Sequence, residues 1–146
     1  MATLKILTAE DNPDDVVLLE HALKKARLNS RLIAVSDGVE ALSYLKGEGA
    51  FADRRDYPFP DMLLLDLNMP RMNGFEVLQW VRADKMWGRL MVHVLTASSR
   101  QSDVERAYDL HANSYTVKPI RLDELVAFFV ALHDWYRFVI PARPKS

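Results

Sequence analysis

The chain has no cysteine. That excludes disulfides, thiolate zinc sites and thiol nucleophiles, and it suits a reducing cytoplasm. No apolar run is long enough to span a bilayer, and the first residues run straight into a strand-like segment with no secretory leader. No sign of charge dominates: the formal net charge is -1. A nucleic-acid footprint and a basic membrane-binding face are therefore not expected. Internal repeats and low-complexity segments are lacking as well. What remains is 146 residues, 49% apolar and 27% charged, enough for one well-cored domain and too few for two of ordinary size.

The stretch from Asp61 to Pro70, DMLLLDLNMP, organises the rest. Four apolar residues, Met62 to Leu65, stop at an acid, Asp66, with Asn68 and Pro70 soon after. So short a continuous apolar run reads as a strand covered on both faces, as in the middle of a parallel sheet. Further strands are expected at Lys5 to Thr8, Arg31 to Val35, Leu90 to Leu95 and Ser114 to Val117. Helices are expected between them. The first starts at Pro13, whose missing N–H is harmless in a first turn, and runs to about Ala26. The second is capped by Asp37-Gly38 and carries Val39, Leu42 and Leu45. The third follows the Pro70 to Gly74 turn with Phe75, Val77, Leu78 and Val81. The fourth covers about Ser102 to Leu110, and the last runs from near Leu122 toward Ile140. The long connection Gly47 to Pro60 carries Phe51, Tyr57 and Phe59 and is expected to pack on the body. Strand and helix alternate five times, which predicts an α/β fold: a doubly wound parallel sheet with helices on both faces.

In such sheets the working groups lie beyond the carboxyl ends of the strands. Those ends carry Glu10 and Asp11, Asp66, Thr96 and Lys118. Three clustered carboxylates repel one another unless a cation sits among them. A hard divalent ion with oxygen ligands, magnesium foremost, resolves the conflict. Lys118 adds a second positive charge and Thr96 a hydroxyl, the equipment for holding a phosphoryl group on or near a carboxylate. Taken singly, each residue is better explained as a turn former, a helix cap or a strand-end hydroxyl. Their arrival in consistent strand order is what carries the reading.

These motifs, Glu10-Asp11, Asp66 to Pro70 with Met72 and Gly74, Thr96-Ala97 and Tyr115 to Pro119, resemble those of response-regulator receiver domains of two-component signalling. The resemblance covers about Lys5 to Val139 and is CheY-like in layout. It implies a flavodoxin-like five-stranded sheet of order 2-1-3-4-5. Within the family the chain is similar to stand-alone regulators of phytochrome histidine kinases, in its long loop before the third strand, its Ala112 to Tyr115 stretch and the aromatic end of its last helix. The resemblance implies Asp66 as phosphoacceptor and Mg2+ held by Asp11, Asp66 and the Asn68 carbonyl, with Glu10 helping through water. It implies Lys118 and Thr96 on phosphoryl oxygens, and Tyr115 moving inward as Thr96 moves, from an outward or mixed resting position. It also implies a cis Lys118–Pro119 bond. His111 and Asn73 depart from the residues usual in the family. Asn68 and Ser98 flank the site, where they would tune the lifetime of the phosphate.

The expected protein is thus a single receiver domain over residues 1–146, with a core of about 5–140 and a tail of 141–146. It is cytoplasmic and partnered by a sensor histidine kinase, and it has no output domain and no role as a turnover enzyme. Two rival readings are a relay passing its phosphoryl group to a histidine phosphotransfer protein, and a magnesium phosphatase using Asp66 as nucleophile. His93 is expected to be a buried, hydrogen-bonded histidine, Trp80 and Trp87 packing residues, and Arg54, Arg55, Arg143 and Lys145 solvated charges. The last helix has a wide apolar arc. Leu125, Phe129, Leu132, Tyr136 and Ile140 share a core stripe, while Phe128, Trp135, Phe138 and Val139 lie beside it. That arc predicts a two-fold homodimer through the last helix and the adjoining edge.

Overall fold

The computed structural model describes residues 2–144. Five parallel strands form one sheet: β1 (Leu4–Ala9), β2 (Ser30–Val35), β3 (Met62–Leu65), β4 (Met91–Thr96) and β5 (Ser114–Val117), in the order β2-β1-β3-β4-β5. Between and after them run α1 (Pro13–Ala26), α2 (Gly38–Lys46), α3 (Gly74–Ala83), α4 (Gln101–Asp109) and α5 (Leu122–Tyr136). All four residues of β3 are buried. They alternate between two cores, Leu63 and Leu65 toward α2, α3 and α4, Met62 and Leu64 toward α1 and α5. This is the flavodoxin-like layout the resemblance implies. No helix among the described residues is long and apolar enough to cross a membrane.

Local chemistry sets the helix starts. The Asn12 side chain accepts from Asp14 N–H ahead of Pro13. Asp37 accepts from Glu40 N–H, and Asn73 and Glu76 cap α3 reciprocally. Asn73, a departure from the family, thus has a structural use. His111, the other departure, sits in the left-handed region with φ 68°.

The long connection packs on the body as expected. Phe51 and Tyr57 lie against the buried Tyr44, whose hydroxyl donates to Pro58 O at 2.7 Å. Trp87 is buried and its indole N–H donates to Leu45 O at 2.8 Å.

Three expectations need correction. Arg54 is not a solvated charge: its guanidinium donates to Tyr44 O and Leu45 O at the end of α2 and lies over the Phe59 ring. The carbonyl end of a helix carries partial negative charge, so a partly buried cation is favoured there. Arg55 is solvated and Arg143 stands 3.8 Å from Asp61, while Lys145 lies outside the described residues. The last helix stops at Tyr136, and Ile140, placed in the core stripe from its spacing, is 97% exposed. Pro141 disfavours helical geometry at the residue before it, and the chain leaves through i→i−3 bonds at Phe138 and Val139. The Lys118–Pro119 bond is trans, since the described residues contain no cis peptide. The four-carbon stem of Lys118 reaches the strand-end acids Glu10 and Asp66 from that backbone without it.

Candidate functional site

The ends of four strands, β1, β3, β4 and β5, supply the site. The Glu10 N–H donates to Val35 O at 3.0 Å and the Asp66 N–H to Ala9 O at 3.1 Å, which brings the ends of β2, β1 and β3 to one level. The Lys118 N–H donates to Thr96 O at 2.8 Å, which does the same for β4 and β5. The turn after Asp66 is held tightly. A Cβ on Gly74 would come within 2.3 Å of Asp66 O, so only glycine allows this closeness.

Glu10, Asp66 and Thr96 are buried and Asp11 is exposed. Carboxylate oxygens of Glu10, Asp11 and Asp66 all lie within 4.8 Å of one another. Asp66 is gripped on both oxygens. Its Oδ1 accepts from the Thr96 hydroxyl at 2.7 Å and from Asn68 N–H at 3.4 Å, and its Oδ2 accepts from Lys118 Nζ at 3.2 Å. Lys118 Nζ also donates to Glu10 and, at 2.9 Å, to Asp15.

Burial pushes the Glu10 carboxyl up to about 7 and the nearby Asp66 charge pushes the same way, against the hydrogen bond from Lys118. For Lys118, burial alone favours the neutral amine. The bonds to Glu10 and Asp15 and the field of Asp66 outweigh it and hold the ammonium above the usual lysine range. Acid groups thus outnumber the one cation in a partly buried space. An all-oxygen donor set with excess negative charge fits a hard divalent ion.

The sequence places Glu10, Asp11, Asp66, Asn68, Thr96 and Lys118 together, and so does the structure. Ser98 flanks the site, but its hydroxyl is taken by Asp103 at 2.6 Å. Tyr115 departs from its expected outward or mixed position. Its ring packs partly buried against the core and its hydroxyl donates to Ser98 O at 2.9 Å. That hydrogen bond satisfies a phenol that would otherwise lose water on turning in. Asp15 was missed altogether. It lies in the first turn of α1, where the helix dipole alone favours an acid and gives no sign of a further role.

The apolar residues on and just beyond α5 divide. Phe128 packs against the core beside Phe129 and Val139 is half-buried, while Trp135 is 46% and Phe138 78% exposed. His93 is buried beneath Trp135, with ring centroids 5.8 Å apart, and Nδ1 pairs with the Ser114 hydroxyl at 2.7 Å as a hydrogen-bonded core histidine should.

Comparison with known proteins agrees with the geometry. The family model of the response regulator receiver domain matches residues 6–129. Response regulator Rcp1 of Synechocystis sp. is 36% identical over 131 residues, covering 90% of this chain and 87% of the relative. The phosphorylated cyanobacterial phytochrome response regulator RcpA superposes with a TM-score of 0.85 at 35% identity, covering 96% of this chain and 99% of the other. The Mn2+-bound form of Rcp1 superposes at 0.81 and 32% identity, covering 95% and 99%.

Proposed function

This chain belongs to the response regulator receiver family, and from that premise we propose that Asp66 takes a phosphoryl group from a phytochrome-type histidine kinase. The observation that carries the assignment is the double grip on Asp66, with Thr96 on one oxygen and the Lys118 ammonium on the other. A carboxylate so held is oriented for attack on the phosphorus of a phosphohistidine. The O–P bond forms, the P–N bond breaks, and its electron pair returns to the imidazole. The product is an acyl phosphate on Asp66. Lys118 then holds one phosphoryl oxygen and the Thr96 hydroxyl turns to another.

Glu10, Asp11, Asp66 and the Asn68 carbonyl would hold the divalent ion, which we take to be magnesium. The oxygen cluster supports this, as does the Mn2+ in the Rcp1 structure. When bound, the ion offsets the negative charge that gathers on the transferring group.

We read the protein as a phosphoacceptor and not as a turnover phosphatase. The family match and the phosphorylated form of the relative RcpA support that reading. We further read residues 1–146 as one cytoplasmic receiver domain that acts by changing protein contacts. The exposed Trp135 and Phe138 on and just beyond α5 support a homodimer through that helix.

Phosphotransfer from an autophosphorylated phytochrome-type kinase tests the assignment. Label should pass to the wild-type chain within minutes and not to Asp66→Asn. Equal labelling of the variant would move the site elsewhere.

A further inference from the structure

Lys118 is saturated in this structure. Its ammonium has three protons. Three carboxylates accept from it: Glu10 at the end of β1, Asp15 in the first turn of α1, and Asp66 at the end of β3. A phosphoryl group arriving on Asp66 brings oxygens that need a donor from the same ammonium, so one of the three contacts must yield.

The three acids are not equivalent. The Glu10 and Asp66 side chains are 2% and 9% exposed, whereas Asp15 is 37% exposed. Releasing a buried carboxylate leaves it without water, which is costly. Releasing a partly exposed one lets water replace the lost donor. Glu10 and Asp66 also belong to the group of mutually close oxygens that suits a metal, and Asp15 stands outside it. Asp15 is held in place by its helix, two residues after Pro13 and three after the Asn12 cap, where the helix dipole favours a negative charge. It can let go of Lys118 and remain charged.

We propose that Asp15 is the exchangeable partner of Lys118, occupying one of its protons in the resting protein and giving it up to a phosphoryl oxygen. Asp15 is therefore a positioning residue acting through Lys118. Its ion pair stabilises the unphosphorylated form and is lost in the phosphorylated one, so it opposes loading of the site. The inference rests on Asp66 being the phosphoacceptor. It adds a fourth acid, on a helix, to the strand-end groups that set the balance between the two forms.

Beryllofluoride binding at saturating magnesium tests this, followed by 19F NMR on the full chain. It reads the phosphoryl-like state without turnover. Asp15→Asn should bind beryllofluoride more tightly than wild type by about fivefold, the upper range for a partly exposed ion pair. Asp14→Asn removes the same charge from an exposed position on the same turn and should stay within about twofold. Asp15→Ala should shift in the same direction as Asp15→Asn. Damage to the fold would weaken binding, so a gain in affinity cannot come from it. Unchanged or weaker binding by Asp15→Asn would overturn the proposal, and so would an equal gain in Asp14→Asn. If wild type itself fails to bind beryllofluoride, the phosphoacceptor reading fails first and this one falls with it.

Discussion

At His93 burial and basicity conflict. The ring is buried, Nε2 has no hydrogen-bond partner, and burial lowers its pKa from 6.5 to about 4. In the unfolded chain the imidazole takes up a proton near 6.5, while in the folded chain it resists until about 4. Protons therefore favour the unfolded state as pH falls through that window. The neutral ring's contribution is complete above it and lost toward its lower end, by roughly 3 kcal/mol. His93→Gln keeps a polar side chain without the titration. The stability difference between wild type and this variant, from urea unfolding, should be flat above pH 7 and shrink by about that amount toward pH 4. Parallel pH curves would contradict the assignment. Among the site residues, Asp66 was legible because it ends an apolar strand and Lys118 because it follows the last strand in a family motif, and strand ends converge in a parallel sheet. Asp15 was not legible. An acid in a first helical turn is favoured by the dipole alone, and only the position of Lys118 distinguishes it from Asp14.

Between elements, the clearest tie joins the turn before α2 to the loop before α3. Arg71 places its guanidinium on Asp37 Oδ2 at 2.7 Å, and a Cβ on Gly38 would meet Met72 O at 2.3 Å. Burial works against the Asp37 charge, but the bonds from Glu40 N–H and Arg71 outweigh it and keep its carboxyl below the usual range. Asp37 thus caps one helix and anchors the loop that carries Asn68. Asp37→Ala should cost about 2 kcal/mol in urea unfolding, roughly half from the cap and the rest from the ion pair. Arg71→Ala should cost clearly less, since its side chain is 58% exposed and the cap survives. Equal losses would mean the ion pair alone matters. Most elements could be placed from the sequence to within a residue or two, because strand runs and caps are local signals. The end of α5 was misplaced, because apolar spacing continued past the point where Pro141 halts the helix. Arg54 was misread, because its acceptors are carbonyls brought near by tertiary packing. The inward Tyr115 was not legible either, since its partner is a backbone oxygen on another loop.

For the whole molecule, the sheet order and the gathering of acids at one edge followed from alternation and family motifs. Assembly depends on surface shape, which periodicity describes only in part. Of the four residues expected at an interface, Phe128 is largely engaged within its own chain and Val139 is half-buried, while Trp135 and Phe138 stay open. The proposed interface therefore centres on the end of α5. Sedimentation velocity at micromolar concentration should give a dimer, with Trp135→Ala and Phe138→Ser shifted toward monomer. A monomer with and without beryllofluoride would rule the dimer out.

Intact mass after incubation with acetyl phosphate reads out both phosphorylation of Asp66 and its dependence on a divalent ion at the acid cluster. Wild type should gain one phosphoryl group with magnesium and none with a chelator, and Asp66→Asn should gain none in either case. A gain without metal, or a gain in Asp66→Asn matching wild type, would contradict the assignment.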